Sequence, residues 1–434
     1  MQHPYATMVD PILWQNEARD VALIDIPRSI AAAQGTVQHP CHKLLLSNEP
    51  LRVPFPSNEP KSAAAKAKLC SGDAEQNLHR EYASICVGAL AEVKAKWSGE
   101  WCLPRPFVTG KLATKRKLDD ERPKAQMTAM SAVQPSELYQ TLLPESDDDG
   151  NSRILTVTDQ GITPSATLVA NLNERPIFLP VSGDHVAGAD RYCVPPGSSF
   201  CLGDCHNARG FRAALRQQSN QQDMSKTFDF ILLDPPWPNR SVKRTHQTAG
   251  STYNIATNHR EIEDLLLGMD LDMLMADECL VGVWITNKQA VRELVLNEGG
   301  LFDSWGVQLV EEWIWLKTTG QGEPVTPLDA LWRKPYEVLL LGRRRRIDRT
   351  HGSNDPAEVD IMRRVLMGVP DLHSRKPCLK ELIEPLLPSS DDYRALEVFA
   401  RYLVTGWWSW GDECIKFNSG YCWEEPRAPR QSTN

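Results

Sequence analysis

No apolar run in this chain approaches the roughly 20 residues that a bilayer-spanning helix needs, so a helical membrane protein is not expected. The first ten residues, His3 and Pro4 among them, carry no basic segment followed by an apolar one, and an intracellular protein without a secretory leader is expected. Cysteine is unpatterned: 11 scattered residues, an odd number, fit reduced thiols rather than a disulfide framework. Cys201, Cys205 and His206 have no second cluster at ligand spacing, so no metal site is expected. No Gly-x-Gly-x-x-Gly follows an early strand, which argues against a nicotinamide or flavin dinucleotide. Positive charge is also short, since 48 Lys and Arg against 56 Asp and Glu give a net charge of −8. Binding of a polyanion would have to rest on local clusters, namely Lys243-Arg244, Arg333-Lys334 and Arg343 to Arg346.

The 434 residues are enough for one large domain with an extension, or for two domains. Residues 1–155 show weak periodicity, a proline-rich linker-like stretch from Pro50 to Lys66, and the acidic run Glu145 to Asp149. They read as an amino-terminal extension, either substrate-binding or a partly disordered arm. Trp97, Trp101 and Phe107 favour the former, because a solvated tail would not carry them. A helix is expected from Asn77 to Trp97. The basic stretch Lys111 to Lys117 reads equally as a nuclear-import signal or as an exposed charged loop, and a nuclear location is expected, with the cytoplasm left open.

Residues 156–425 change character: short apolar runs alternate with helix-like segments, as in a mostly parallel α/β sheet of Rossmann-like type covered on both faces. The expected strands are Phe200 to Leu202, Phe228 to Leu233, Cys279 to Thr286, Val307 to Leu316, Tyr336 to Leu341 and Leu396 to Phe399. Asn258 and Glu261 form a capping-box pattern, and Asn287 is expected to cap a helix over Lys288 to Glu298. Trp313, Trp315, Trp407, Trp408 and Trp410 alternate on strand-like segments and read as core aromatics.

The chemistry is concentrated in Asp234-Pro235-Pro236-Trp237, which follows the apolar run ending at Leu233. The same tetrapeptide can be a plain proline-stiffened turn. Its sharper reading is a site that methylates an exocyclic amine. The amine of a purine ring is flat and weakly nucleophilic, and two acceptors that hold both its hydrogens draw the lone pair out of the ring plane. The Asp234 carboxylate and the Pro235 carbonyl are such a pair, the prolines keep it rigid, and Trp237 offers a face for stacking. Asn239, Lys243, Arg244 and Tyr253, in the segment that follows, are the candidate substrate contacts, with Lys243-Arg244 in reach of phosphates flanking a bound base.

Seven landmarks in one order extend this motif: Asp234 to Arg244, Trp284-Ile-Thr-Asn287, Glu312 to Lys317, Lys334-Pro-Tyr-Glu337, His373 to Pro377, Glu397 to Arg401 and Gly406 to Glu413. On these, residues from about Phe200 to Phe417 resemble the messenger-RNA adenosine N6-methyltransferase (MT-A70-like) family, most of all its branch called methyltransferase-like protein 4. The resemblance implies a class I S-adenosylmethionine-dependent methyltransferase fold with permuted motif order. It implies an N6-adenine methyltransferase acting on nucleic acid, either small nuclear RNA adenosine that is already 2′-O-methylated or DNA adenine, with the base flipped out or single-stranded. It also implies that Lys376 receives the cofactor's methionine carboxylate, that Arg401, Asp412 and Glu413 lie around its ribose and adenine, that Asp204 is an acidic position near the cofactor, and that Tyr253 matches a family tyrosine. Asp412 departs from the family's usual Asn, which puts a contact needing an N–H in question. Glu337 is expected to pair with Lys334 or Arg333. The competing reading is a catalytically silent nucleic-acid-binding scaffold or partner subunit of a methyltransferase.

Overall fold

The computed structural model describes residues 10–56, 73–107, 167–180, 191–222, 225–238, 258–330, 333–345, 360–372, 375–390 and 392–426. Asn239, Lys243, Arg244 and Tyr253 lie outside them, as do Lys111 to Lys117, Glu145 to Asp149, Arg346, His373, Ser374 and most of the stretch from Pro50 to Lys66.

In chain order the elements are β1 (Ile12–Gln15), β2 (Val21–Ile24), α1 (Ile26–Ala32), β3 (Leu44–Leu45), α2 (Asp73–Lys96), β4 (Thr167–Ala170), β5 (Ile177–Pro180), β6 (Arg191–Val194) and β7 (Ser199–Leu202). Then come α3 (Ala208–Gln222), β8 (Phe228–Leu233), α4 (His259–Gly268), β9 (Met275–Ile285), α5 (Gln289–Leu296), α6 (Leu301–Ser304), β10 (Val307–Lys317) and β11 (Tyr336–Arg344). The last are β12 (Met362–Gly368), α7 (Lys380–Ile383), β13 (Ala395–Val398), β14 (Trp408–Gly411) and β15 (Trp423–Glu424).

Eleven strands make one sheet in the order β1-β2-β12-β10-β11-β9-β8-β13-β14-β7-β4. The run from β9 through β8, β13 and β14 to β7 is parallel throughout, and β11 is antiparallel to both of its neighbours. This is the mixed, mostly parallel α/β sheet expected from the apolar runs. The six expected strands are all present, lying within β7 to β11 and β13 to within one residue, with β9, β10 and β11 running further. Residues 12–24, part of the segment read as an extension, supply the two strands at one end of the sheet.

Central strands are apolar on both sides because both sides are covered. On β8, Phe228, Ile231 and Leu233 face one core while Phe230 and Leu232 face the other. The tryptophans divide likewise: Trp408 and Trp410 enter the first core, and Trp313, Trp315 and Trp407 the second. Trp410 stacks on Phe211 of α3 at 4.4 Å between ring centres.

Asn258 caps α4 as expected, its side chain accepting from the Glu261 N–H at 2.9 Å. Asn287 does not cap α5; its Nδ2 donates to the Tyr336 carbonyl at 2.6 Å, and α5 starts at Gln289 without a side-chain cap. Tying β9 to the entry of β11 satisfies a carbonyl there, and the helix begins one residue too late for Asn287 to reach its first turn.

Helix α2 packs Tyr82, Cys86, Ala89, Leu90 and Val93 into the first core, at helical spacing. Its Tyr82 hydroxyl donates at 3.0 Å to Glu312, which is fully buried on β10 and is ion-paired with Arg292 and with Arg363 at 2.8 Å. Burial pushes the Glu312 carboxyl up, but the two guanidiniums outweigh it and hold it below the ordinary range. Removing the acid takes from Arg292 its ion-pair partner, from the Tyr82 hydroxyl its acceptor, and leaves Arg363 with Glu81 alone. Glu312→Ala is expected to lower the unfolding free energy by about 3–5 kcal/mol in urea titration.

Candidate active site

The strand order sets where a site can form. Strand β8 leads to β9 on one side, whereas β13 leads to β14 on the other, so the chain diverges between β8 and β13. A crevice opens outside the carboxyl ends of parallel strands at such a point. The strand directions bring further segments to the same edge, among them the ends of β9, β10, β12, β13, β14 and β7 and the start of the antiparallel β11.

Asp234 is the first residue beyond β8, its N–H directed at the Val398 carbonyl at 3.4 Å. One carboxylate oxygen accepts from Lys376 Nζ at 2.9 Å; the other lies 3.5 Å from Arg401 Nη1. Lys376 also pairs with Glu337 at 3.0 Å, and Glu337 with Lys317. Arg401 Nε lies 3.3 Å from Glu413, which meets Lys416 at 2.7 Å. The result is a line of alternating charge, Lys317, Glu337, Lys376, Asp234, Arg401, Glu413 and Lys416.

Local conformation serves this line. Phe399, just after β13, has φ of +61°, a left-handed conformation that costs a non-glycine residue energy and here turns the chain towards Arg401. Its N–H donates to the Trp410 carbonyl at 2.8 Å. Gly411 approaches it so closely that a Cβ would lie 3.3 Å from the Phe399 Cα.

Electrostatics divide the acids into two kinds. Glu337 and Glu413 are pushed up by burial, yet Lys376 with Lys317 and Lys416 with Arg401 more than offset this and hold both below the usual carboxylate range. Burial alone would lower the Lys376 ammonium, but Asp234 and Glu337 raise it. Glu397, buried on β13, is pushed up to about 8 by burial and by the Asp234 charge. Asp412 is raised to about 6 by burial and by its neighbour Glu413.

Trp237 takes another place than the sequence indicates. It is 7 % exposed within the first core, and its indole N–H donates to the Trp284 carbonyl at 2.7 Å. It offers no open face and instead braces Trp284, whose ring lies under Lys376 at 5.3 Å. Its own N–H donates to the Pro235 carbonyl at 2.8 Å, closing a tight turn and occupying one of that oxygen's two lone pairs. Asp204 sits exposed at the end of β7, its carboxylate 2.6 Å from His206 Nδ1. Its charge is among those that raise Asp412.

Glu337 pairs with Lys317 and Lys376 rather than with Lys334 or Arg333, because β10 and β11 are antiparallel neighbours and the register puts Trp315 opposite Glu337. Arg343 and Arg344 lie at the far end of β11 and donate to the carbonyls of Glu278, Leu386 and Met275, away from Asp234. Sequence reasoning missed Lys317, Lys416 and Glu397 as members of the site. The last had a signal, a lone charge inside Ala395-Leu-Glu-Val398, where a buried strand has no reason for one.

The MT-A70 family matches residues 228–413, which run from β8 to Glu413. Two fungal proteins named N6-methyladenosine RNA methyltransferase MTA1 align along nearly their full length. That of Cryphonectria parasitica is 33% identical over 422 residues, covering 95% of this chain and 94% of the relative. That of Pyricularia oryzae is 31% identical over 438 residues, covering 96% and 97%. The human protein named N(6)-adenine-specific methyltransferase METTL4 is 37% identical over 232 residues, covering 52% of this chain and 44% of the relative. A likeness that runs the length of the fungal relatives and takes in the permuted site makes this chain a member of the MT-A70 family.

Proposed function

We propose that the protein is an S-adenosylmethionine-dependent methyltransferase acting on the N6 amine of adenosine in RNA, with the base unpaired or flipped out of its stack. The observation that carries this reading is the Asp234 carboxylate, fixed at the divergence of the sheet by Lys376 and Arg401 with the Pro235 carbonyl beside it. RNA is chosen because the two relatives that align over almost their whole length are named for RNA, whereas METTL4 aligns over half of this chain.

The charged groups suit such a cofactor. With Glu397 protonated near neutral pH, five carboxylates (Asp204, Asp234, Glu337, Asp412, Glu413) stand against four cations (Lys317, Lys376, Arg401, Lys416), an acidic excess that favours a ligand carrying a sulfonium and an ammonium. Lys376 engages two carboxylates, and an ammonium has a third N–H for the carboxylate of a methionine moiety. On this reading Arg401 and Glu413 would supply a donor and an acceptor to the ribose diol, and Asp412 and Asp204 would lie towards the adenine. When bound, S-adenosylmethionine supplies a methyl group already activated on sulfur.

The protein's part is alignment. A carboxylate offers about four acceptor positions, so Asp234 can hold both cations and still accept one amine hydrogen, while the remaining lone pair of Pro235 takes the other. The amine is thereby made pyramidal, its lone pair pointing away from the ring. Asp234 and Pro235 would hold the nitrogen in that orientation while it takes the methyl group from sulfur, and the extra proton would leave the methylated amine afterwards. Held by two cations, Asp234 serves as acceptor and orienter.

Asp234→Asn is expected to bind the nucleic acid with unchanged affinity and to lose about 100- to 1,000-fold in kcat. The assay is methyl transfer to single-stranded RNA and DNA oligonucleotides, read as N6-methyladenosine and N6-methyldeoxyadenosine by nucleoside mass spectrometry. Transfer to DNA alone would overturn the choice of RNA, and undiminished transfer by the variant would defeat the mechanism.

Glu397 generates a pH dependence. Its folded pKa of about 8 lies above the ordinary 4.5, so between these values the folded state keeps a proton that the unfolded chain has released. Stability therefore falls as pH rises across that window. Glu397→Gln is expected to melt close to wild type at pH 5 and above it at pH 8.5, by differential scanning calorimetry at both pH values.

A further inference from the structure

Lys376 and Arg401, the two cations on Asp234, are built on one buried guanidinium. Arg375 is 2 % exposed, and its Nη1 donates to the Asp371 carboxylate and, at 2.9 Å, to the Leu46 carbonyl. Its plane lies over the Phe417 ring, 4.2 Å from the centroid. The Phe417 N–H in turn donates to the Arg401 carbonyl at 2.9 Å. Lys376 is bonded to Arg375 directly, and two residues further the Cys378 N–H is pinned to Ser29 Oγ at 3.0 Å. On the other side Asp371 accepts from the Asn48 N–H at 3.1 Å, and the Leu46 N–H donates to the Cys422 carbonyl at 2.8 Å. Residues 46–48 and 417–422 thus grip the Arg375–Asp371 pair from both ends of the chain.

Stability does not account for this arrangement. Nε and Nη2 of Arg375 are buried without a hydrogen-bond partner among the described residues, and a buried ion pair so incompletely satisfied contributes little or nothing compared with apolar residues of the same size. A rigid fork at this point does fix geometry: one end sets the backbone that carries Lys376, and the stacked face sets the one that carries Arg401.

We infer that Arg375 is a positioning residue for methyl transfer, holding Lys376 and Arg401 in register on the Asp234 carboxylate through its contacts with Asp371, Leu46 and Phe417. This rests on Asp234 acting as the acceptor of the reacting amine. It also gives the amino-terminal segment a part in the reaction, since Leu46 and Asn48 hold the far side of the clamp through their main chain.

The test is the neutral pair Asp371→Asn/Arg375→Gln, which leaves no unpaired buried charge. The variant should unfold cooperatively and bind an RNA oligonucleotide with the wild-type Kd and KM, while kcat falls about a hundredfold, as for a reacting group displaced by about 1 Å. A second readout needs no turnover. Lys376, released from its two carboxylates, should acetylate with acetic anhydride several-fold faster than in the wild type, measured by peptide mass spectrometry. A folded variant with wild-type kcat and wild-type Lys376 labelling overturns the inference. Should the pair not fold, Phe417→Leu, which keeps the ion pair and removes the ring beneath the guanidinium, is read in the same way, and unchanged kcat and labelling again overturn it. A wild type that methylates no adenine defeats the proposed function instead, and the labelling contrast still decides the role of Arg375.

Discussion

A carboxylate at the mouth of an apolar sheet is held in place only if cations from other strands grip it, and the edge of this sheet is organised around that requirement at Asp234. Lys376 and Arg401 reach it from the segments after β12 and β13. Each of those cations is flanked by a further acid, Glu337 or Glu413, and each acid by a further lysine, so that sign alternates over seven residues. In a partly buried line, neighbouring opposite charges limit the cost of desolvation, while a gap would leave an uncompensated ion. Glu397 marks the limit of this balance: it is close to Asp234, and its burial with that charge keeps it protonated near neutral pH.

The elements that build this edge were largely readable in the sequence, because fully covered strands appear as unbroken apolar runs. Phe230 to Leu233 is one such run, and the carboxylate after it could be placed at a strand's carboxyl end without knowing the fold. Partner identity was not readable in the same way. Glu337 and Lys317 are far apart in the sequence; only the antiparallel register of β10 and β11, which sets Trp315 opposite Glu337, brings them together. Trp237 failed as a stacking platform for a related reason. An indole next to a catalytic motif has equal sequence grounds for facing a ligand or the core, and the Trp284 carbonyl, supplied by β9, decides for the core.

The amino-terminal residues were harder to read because their contributions carry little pattern. Strands β1 and β2 have four residues each, too few for a period to show. Leu46 and Asn48 act through a carbonyl and an N–H that every residue type except proline can offer, so their grip on Arg375 and Asp371 leaves no side-chain signature. Burial of Ile24, Ile26, Ile30 and Leu45 in the second core shows that this segment is integral to the sheet's covering.

An acidic pocket and a polyanionic substrate are compatible only under a geometric restriction. Carboxylates in excess over cations favour a cationic cofactor and a neutral base, but they repel phosphate. The RNA backbone would therefore have to remain at the rim while a single base descends to Asp234, which is what unstacking a nucleotide achieves. Cations at the rim can then attract the backbone without entering the pocket. Lys288, whose ammonium meets the Pro238 carbonyl just beyond Asp234 to Trp237, lies beside that tetrapeptide. Overall negative charge becomes a source of selectivity on this view: nonspecific attraction to phosphate is weak, and binding depends on delivering an adenine whose amine can reach two acceptors at once.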